Sequence, residues 1–178
     1  MFITSRKINR AIDVVAQQVI KFEPDGVIMI LEAARPFAEA LVKRIRPTPE
    51  RGNKPWLGSI KCSRVKVPVT EETPAGFYIN ITNLDVPEEL DGRKIVLVDC
   101  ICDTGSTFVA CTDYLTRSYI MPHLVTASLL WRNPQNNVFR YRPDFYGIDL
   151  YGAPDFLYGF GLDLAGRFRD LDFINSGN

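Results

Sequence analysis

The order of apolar and polar residues along the chain predicts helices and strands in alternation. The N-terminal segment carries apolar residues at helical spacing, at positions 8, 12, 15 and 19, so we expect a helix that ends at about Phe22. Its N-cap is expected at Thr4 or Ser5. After a turn, residues 27–31 are continuously apolar, which is typical of a strand that is buried on both faces.

A unit of buried strand, small-residue loop and helix occurs twice. In the first unit, residues 27–31 lead into the loop Glu32, Ala33, Ala34 and Arg35, after which Pro36 opens a helix with the sequence FAEALVKRI. In the second unit, the apolar residues 95–98 end at Asp99, and small hydroxylated residues precede the helix. The apolar side chains expected on one face of that helix are Phe108, Val109, Tyr114 and Leu115.

Further strands are expected at three places: 56–67, 77–81 and 123–131. Two segments rich in proline and charge, 47–55 and 68–76, are expected to be loops, and the second is a candidate lid. Strands alternating with helices predict an α/β fold with an open, mostly parallel sheet flanked by helices and a site at the carboxyl edge of the strands. The length of 178 residues predicts one domain over residues 1–178.

The loop of the second unit has the composition of a phosphate-binding site. Its residues would present backbone N–H groups and hydroxyls at a helix N-terminus, where anions bind: Asp103, Thr104, Gly105, Ser106 and Thr107. The carboxylates of Asp99 and Asp103 flank the loop and suit sugar hydroxyls, a metal ion or a proton. An ordinary turn with a Thr or Ser N-cap is the alternative that residue type leaves open.

The composition narrows the class of molecule that the protein is expected to bind. Lys plus Arg and Asp plus Glu both number 21, which gives no electrostatic argument for nucleic acid or an anionic membrane and favours a small molecule. No long apolar run or secretory leader appears at the N-terminus, so a cytoplasmic protein is expected. The four cysteines do not form the pattern of a disulfide framework. The single histidine, His123, is expected to start a strand.

Residues 94–108, KIVLVDCICDTGSTF, resemble the phosphoribosyl pyrophosphate (PRPP) signature of type I phosphoribosyltransferases. That signature is an apolar run, two adjacent acids, two apolar residues and D-T-G-x-T. Cys100 stands where the second acid is expected. Residues 141–174 resemble the purine-binding end of hypoxanthine-guanine phosphoribosyltransferases, with Y-R-P-D-F-x-G, G-F-x-L-D and F-R-D-L in that order. The two motifs imply the type I phosphoribosyltransferase fold with a small C-terminal hood segment.

The resemblance implies a role for each matching residue. Asp103 would be the general base toward purine N7, residues 103–107 would bind the 5′-phosphate, and Asp99, with Cys100 beside it, would hold the ribose. The purine would contact Arg142 at its 6-oxo group, Phe156 by stacking and Leu157 through the backbone. Asp163 and Asp99 would serve Mg²⁺, and Arg169 would bind pyrophosphate. PRPP and a purine base or nucleotide are the implied partners, and a homo-oligomer, dimer or tetramer, is expected.

Three loops depart from the family pattern. The pyrophosphate loop usually carries a glycine pair, where this chain has Glu32, Ala33, Ala34 and Arg35; a cis or otherwise strained peptide is expected there. The lid keeps the basic residues Arg64 and Lys66, but valine and proline follow in place of a Ser-Tyr pair. The third departure is the cysteine at position 100.

Residue type leaves simpler interpretations open. Phe156 would then be a core residue, Asp163 a turn acid, Arg169 a partner of Asp170 or Asp172, and Arg142 part of an extended loop. Two functions therefore compete. One is an Mg²⁺-dependent enzyme that transfers phosphoribose from PRPP to hypoxanthine or guanine in purine salvage. The other is a divergent, non-catalytic module that binds a nucleotide or PRPP.

Overall fold

A computed structural model describes residues 1–46, 54–66, 77–87, 89–120, 123–132, 141–151 and 156–177. Three helices occur in these ranges: α1 (Ser5–Phe22), α2 (Arg35–Arg44) and α3 (Ser106–Ser118). The strands are β1 (Phe2–Ile3), β2 (Gly26–Leu31), β3 (Trp56–Lys66), β4 (Phe77–Asp85), β5 (Lys94–Cys102), β6 (His123–Trp131), β7 (Phe145–Asp149), β8 (Leu157–Tyr158) and β9 (Ile174–Ser176). The predicted strand, loop and helix units are confirmed. The predicted loop at 47–55 and the predicted lid at 68–76 lie largely or wholly outside the described residues.

Six strands form one sheet in the order β4-β3-β2-β5-β6-β7. Every neighbouring pair is parallel except β3 and β4, which are antiparallel. Strand β5 lies between β2 and β6, with Val96 opposite Val27 on one side and Val125 on the other. The predicted α/β fold with an open, mostly parallel sheet is therefore confirmed, and the carboxyl ends of β2, β5 and β6 meet at one edge.

The two faces of the sheet carry separate apolar clusters. Helices α1 and α2 pack on one face, where Ile12, Val15 and Phe37 are fully buried. Helix α3 packs on the other face, with Phe108 and Leu115 in the cluster. Alternation along β5 supplies both clusters, because successive side chains of a strand point to opposite faces. Within the described residues, no helix combines the length and the apolarity that a membrane crossing needs.

A small second sheet, in the order β1-β9-β8, joins the N-terminal strand to the two strands near the C-terminal end. Its strands are antiparallel, and Phe2 pairs with Asn175 while Leu157 pairs with Ser176. Residues 157–176, which we call the hood, contain β8, β9 and the turns between them. The C-terminal hood segment expected from the sequence is confirmed.

Helix α1 begins where the sequence predicts. The Thr4 hydroxyl accepts a hydrogen bond from the Lys7 backbone N–H at 3.3 Å, so Thr4 is the N-cap. Helix α3 differs from the prediction in its buried face. Val109 and Tyr114 are exposed, and Cys111 is buried with Phe108 and Leu115 instead. Phe108, Cys111 and Leu115 have the i, i+3, i+7 spacing of one helix face that packs against the sheet, and a thiol behaves as a small apolar side chain there.

The connection from β5 to α3 depends on a glycine. Gly105 has a φ of 82°, in the left-handed region, and it precedes the first residue of α3. A Cβ at this position would lie 1.9 Å from the Cβ of Tyr141, so the backbone and Tyr141 approach closely. Tyr141 also stacks on Phe108, with ring centroids 5.6 Å apart. The left-handed conformation of Gly105 and its close packing against Tyr141 therefore both fix the loop.

We expect Gly105→Ala to destabilise the protein far more than Gly92→Ala. Gly92 has a similar φ of 75°, but a Cβ added there would have no atom within 4 Å, so its substitution carries only the backbone cost, about 1–2 kcal/mol. Gly105→Ala adds the clash with Tyr141, and overpacking of this kind costs a further ~1–3 kcal/mol. Urea unfolding of both variants measures the difference. Equal losses in the two variants would contradict the packing role of Gly105.

Candidate functional site

A cavity of about 260 Å³ opens at the carboxyl edge of the sheet. Its walls come from β2 and the loop after it, from β3 and β4, from β5, from the first turn of α3 and from the hood. The lining residues are Ile30, Leu31, Glu32, Ala33, Cys62, Ser63, Arg64, Ile79, Asp99, Thr107, Asp163 and Arg169. The cavity therefore brings together predicted site residues that are far apart in sequence, from Glu32 to Arg169.

The loop at 103–105 and the start of α3 have the local order that an anion site requires. The hydroxyls of Thr104 and Ser106 lie 2.6 Å apart, and the Ser106 N–H donates to the Thr104 hydroxyl at 3.3 Å. Because α3 begins at Ser106, the N–H groups of its first turn have no partner within the helix. Thr107 lies in that first turn and lines the cavity. This end of α3 can accept a phosphate.

Asp99, at the carboxyl-end half of β5, is one of the carboxylates that line the cavity. It is partly buried, and the Cys100 N–H donates to its Oδ1 at 2.7 Å. Burial raises the pKa of Asp99 to about 7, because the charged form loses hydration, and this effect exceeds the opposing one of the backbone hydrogen bond. Asp99 can therefore hold or release a proton near neutral pH.

Cys100 lies away from the cavity, in contrast to its expected place beside the ribose. Its side chain is fully buried in the cluster under α1 and α2, and its thiol donates to the carbonyl oxygen of Phe160 at 3.4 Å. The reason is the alternation of the strand, which turns Cys100 to the face opposite Asp99. Burial also raises the pKa of Cys100, so the thiol stays protonated. The Cys100 side chain therefore does not reach a ligand in the cavity.

The loop after β2 contributes one wall. The peptide bond between Leu31 and Glu32 is cis, in the segment where the sequence predicts a cis or strained peptide. Glu32 and Ala33 line the cavity, whereas Ala34 is buried at the N-terminus of α2. Arg35 pairs with Glu32 at 3.7 Å and lines a second cavity of about 270 Å³, which shares Glu32 and Arg169 with the first. The charge of Arg35 thus partly offsets that of Glu32.

The hood contributes an ion pair. Arg169 Nη2 lies 2.6 Å from Asp163 Oδ1, and Arg169 Nη1 donates to the Gly161 carbonyl oxygen at 2.8 Å. Arg169 is therefore paired with Asp163, not with Asp170 or Asp172. A Cβ on Gly161 would lie 2.1 Å from the Ala33 carbonyl oxygen, so the absence of a side chain lets the hood approach the loop after β2.

Asp163 also closes a turn, because its Oδ2 accepts the Gly166 N–H at 2.8 Å. Among the described residues, no group of three or more His, Cys, Asp and Glu side chains is placed to hold a metal ion. Asp99 and Asp163, the two residues expected to serve Mg²⁺, both line the cavity. Mg²⁺ usually keeps several waters and binds one or two carboxylates together with substrate phosphates. The donor set fits Mg²⁺ that arrives with a phosphorylated ligand.

Asp103 has a cationic neighbour that the sequence analysis missed. Arg132 Nε lies 3.3 Å from Asp103 Oδ1, and the Arg132 side chain is only 12% exposed. The Arg132 N–H donates to the Cys102 carbonyl oxygen at 2.8 Å, which fixes the residue after β6 beside the last residue of β5. In the sequence, the only sign that Arg132 lies near Asp103 was its position, directly after a predicted apolar strand of a parallel sheet.

The predicted purine-binding residues are spread over two regions. The Arg142 guanidinium lies 5.5 Å from the ring centroids of both Trp131 and Tyr146, and it donates to the Tyr146 hydroxyl at 3.4 Å. Phe156 is 68% exposed, which excludes the core alternative. Leu157 is buried in β8. Neither Arg142 nor Phe156 lines the 260 Å³ cavity.

The basic residues of the predicted lid lie at the end of β3. Arg64 lines the cavity and stacks over the Phe77 ring at 4.3 Å, across the antiparallel pair of β3 and β4. Lys66 is exposed and pairs in register with Phe77. The valine and proline that follow lie outside the described residues. His123 begins β6, as predicted.

Comparison with known proteins gives one family. The phosphoribosyl transferase domain matches residues 3–163. A hypoxanthine-guanine-xanthine phosphoribosyltransferase from Plasmodium falciparum is 29% identical over 161 residues, which are 88% of this chain and 66% of that protein. A hypoxanthine-guanine phosphoribosyltransferase from Cricetulus griseus is 35% identical over 97 residues, which are 54% of this chain and 42% of that protein. The matches span less than two thirds of these curated relatives.

Solved structures agree with the fold. A hypoxanthine-guanine phosphoribosyltransferase from Bacillus anthracis superposes with a TM-score of 0.79 at 22% identity, covering 99% of this chain and 96% of that chain. A hypoxanthine phosphoribosyltransferase from Trypanosoma cruzi gives a TM-score of 0.79 at 20% identity, covering 100% of this chain and 90% of that chain. The coverage shows that the likeness in fold extends over the whole chain at low sequence identity.

The raised pKa of Asp99 predicts how the free energy of unfolding depends on pH. Between the ordinary value of 3.8 and about 7, the folded protein binds a proton that the unfolded chain releases, so Asp99 lowers the free energy of unfolding as pH rises through this range. Asp99→Asn keeps the shape without the charge. We expect its stability relative to wild type to rise by on the order of 3 kcal/mol from the acidic to the neutral end.

Urea unfolding of both proteins at a series of pH values measures this difference. Asp113→Asn is the control, because Asp113 lies on the exposed side of α3, in an ion pair with Arg117. Curves for Asp99→Asn and wild type that stay parallel across the range would show that Asp99 is not held protonated by burial.

Proposed function

Because the chain belongs to the phosphoribosyl transferase domain family, we propose that it transfers phosphoribose from PRPP to a 6-oxopurine, hypoxanthine or guanine, in purine salvage. The products are the nucleoside monophosphate and pyrophosphate. The observation that carries the proposal is the cavity itself, which joins the N-terminus of α3, Asp99 and the Asp163–Arg169 pair in one space. Both relatives are named for hypoxanthine and guanine, and the Plasmodium falciparum protein is named for xanthine as well, which supports a 6-oxopurine as the base.

The phosphate end of PRPP fits the start of α3. Free N–H groups at a helix N-terminus bind a phosphate dianion, and the hydroxyls of Thr104, Ser106 and Thr107 add donors. Gly105 lets the backbone turn into the helix without a side chain in the way. Asp99, which lines the cavity, would hold a ribose hydroxyl. We therefore assign residues 103–107 to the 5′-phosphate and Asp99 to the sugar.

The pyrophosphate end fits the hood side of the cavity. Arg169 presents a guanidinium to the cavity and is oriented by Asp163 and by the Gly161 carbonyl. Glu32 lines both cavities with Arg169, Ala33 lines the first and Arg35 the second. Mg²⁺, bound to PRPP and to Asp163, would neutralise charge on the departing pyrophosphate. Arg169 would stabilise the same developing charge, while Arg64 and Lys66 add positive charge at the end of β3.

The purine fits beside Asp103 and Arg132. N7 and the 6-oxo group are neighbours on a 6-oxopurine, so one carboxylate and one guanidinium at 3.3 Å separation match them as acceptor and donor. Asp103 would accept the N7 proton as general base while N9 attacks the anomeric carbon through an oxocarbenium-like transition state. This assigns the 6-oxo contact to Arg132, in place of the Arg142 expected from the sequence. The exposed Phe156 would stack on the base, with the backbone of Leu157 at its edge.

We also retain two expectations that belong to the whole protein. A cytoplasmic location fits a substrate class made inside cells, and fractionation tests it. A homo-oligomer, dimer or tetramer, is testable by light scattering coupled to size-exclusion chromatography.

The central test is a spectrophotometric assay with PRPP, Mg²⁺ and each of hypoxanthine, guanine, xanthine and adenine. We expect turnover with a 6-oxopurine and its loss on chelation of Mg²⁺. Binding of PRPP or nucleotide by calorimetry without turnover of any base would instead support a non-catalytic binding module, the alternative that Glu32 and the alanines of the loop after β2 raise.

Asp103→Asn should reduce turnover by about 10²- to 10⁴-fold, the usual contribution of a positioned proton acceptor, while nucleotide affinity changes little. Steady-state kinetics and calorimetry on the same variant separate the two quantities. Asp113→Asn, which removes a carboxylate from the exposed side of α3, serves as the control. A variant with undiminished turnover would remove Asp103 from the mechanism.

Arg132→Met and Arg142→Met decide which guanidinium reads the 6-oxo group. We expect Arg132→Met to reduce kcat/KM for hypoxanthine by roughly 10²- to 10³-fold, as for a lost transition-state donor, and to weaken the preference over adenine. Arg142→Met should keep that preference, because its guanidinium lies against Trp131 and Tyr146. The reverse pattern would return the 6-oxo contact to Arg142. Arg132→Lys, which keeps a donor, should fall between wild type and Arg132→Met.

A further inference from the structure

Tyr141 packs over the turn that leads from β5 into α3, and the function proposed above gives it no role. A Cβ on Gly105 would lie 1.9 Å from the Cβ of Tyr141 and 2.7 Å from its Cγ, so the Tyr141 side chain begins directly against the turn. Its ring stacks on Phe108, in the first turn of α3, with centroids 5.6 Å apart and planes inclined by 26°. Tyr141 therefore contacts both the turn and the helix that follows it.

The hydroxyl of Tyr141 is anchored to the sheet. It lies 3.1 Å from Oγ1 of Thr126, a residue of β6 that is only 2% exposed. The Thr126 hydroxyl and N–H both donate to Asp144 Oδ2, at 2.8 and 2.7 Å. Because the Thr126 hydroxyl has one hydrogen, which Asp144 accepts, Tyr141 is the donor in the bond to Thr126. Tyr141 and Asp144 are thus tied to the same buried residue.

The backbone of Tyr141 is held as well. Its carbonyl oxygen accepts the Trp131 Nε1–H at 3.2 Å and the Cys102 thiol at 3.6 Å. Trp131 and Cys102 are the last residues of β6 and β5. The sheet therefore fixes Tyr141 through its hydroxyl and its carbonyl, and the turn at Gly105 packs against a residue that is held in place.

We propose that Tyr141 is a positioning residue for phosphate binding, which holds the turn at Gly105 so that the N–H groups of residues 104–107 stay directed at a phosphate. Tyr141 does not line the 260 Å³ cavity, so it acts through the turn and not on the ligand. This role also explains the contacts of Tyr141 and Asp144 in the Y-R-P-D-F motif. The effect on PRPP rests on the function proposed above, whereas the position of the turn does not.

The turn needs such support because its own restraints are weak. Gly105 precedes α3 in the left-handed conformation, and no side chain caps the helix. The Val109 N–H donates to the Gly105 carbonyl oxygen at 3.0 Å and so begins the bonding of the helix. Glycine has a wide choice of backbone conformations, and affinity falls with the fraction of molecules that are in the binding conformation. Packing against Tyr141 restricts this choice before the ligand binds, which lowers the entropy lost on binding.

The first experiment measures the turn in the full chain without substrate. NMR follows the amide signals of residues 104–107 during titration with inorganic phosphate, and hydrogen exchange is measured at the Val109 N–H. We expect Tyr141→Ala to weaken phosphate binding roughly tenfold, as when one molecule in about ten has the binding conformation, and to speed exchange at Val109. Tyr141→Phe keeps the ring and should stay within about threefold of wild type.

Leu115→Ala is the matched control. Leu115 is fully buried in the same cluster and on the same helix, about two turns beyond Phe108. Its substitution should reduce stability to urea by an amount comparable with Tyr141→Ala, yet leave phosphate affinity unchanged. Equal weakening of phosphate in both variants, or an affinity of Tyr141→Ala that matches wild type, overturns the positioning role. If Tyr141→Ala does not fold, Tyr141→Leu, which keeps apolar volume without the flat ring, takes its place.

The second experiment measures steady-state kinetics with PRPP and hypoxanthine. Tyr141→Ala should raise the KM for PRPP roughly tenfold and that for hypoxanthine less than about threefold, because its contact is with the phosphate turn. Equal rises in both KM values contradict the proposal. If wild type binds inorganic phosphate at residues 104–107 but neither binds PRPP nor turns it over, the proposed function fails, and the first experiment still decides the role of Tyr141. Phosphate that moves none of these wild-type signals overturns that role.

Discussion

Parallel pairing of β5 with β2 and β6 is the constraint on which the candidate site depends. Because the three strands run in one direction, the segments that follow them meet at one edge of the sheet. That edge is where the loop after β2, Asp103 and Arg132 lie. The register also decides which side chains face the ligand, since a slip of one residue would exchange Asp99 with Cys100. Strand pairing thus decides which side chains the site contains.

A second constraint completes the cavity from outside the sheet. The close approach of Gly161 to the Ala33 carbonyl places the hood against the loop after β2, and the Asp163–Arg169 pair of the hood lines the same cavity as Ala33. The cavity combines groups of opposite charge. The first turn of α3 and the guanidinium of Arg169 line it together with the carboxyl group of Asp99. A positive end of a helix dipole and a guanidinium in one cavity suit a ligand that carries more than one anionic group.

The sequence allowed the fold to be predicted because its signals are local. Continuous apolar runs marked β2 and β5, and small residues with Pro36 or Gly105 marked the turns into helices. The features that the sequence did not reveal depend on contacts between distant segments. The pairing of Arg132 with Asp103 follows only from the alignment of β6 beside β5. The burial of Cys111 in place of Val109 and Tyr114 follows from how α3 is rotated on the sheet. The orientation of Cys100 is a different case, because the alternation of side chains along a strand could have predicted it from the sequence.

The pairing of β1 with β9 has a consequence for how the protein is made. Strand β9 follows the hood turns that carry Asp163 and Arg169, and it pairs with the first residues of the chain. Contacts of such long sequence separation form slowly, and during synthesis they wait until β9 has left the ribosome. A nascent chain would therefore complete the central sheet and the loop at 103–105 first. The guanidinium of Arg169 would be held at the cavity only afterwards, so the cavity would be completed later than the sheet that carries it.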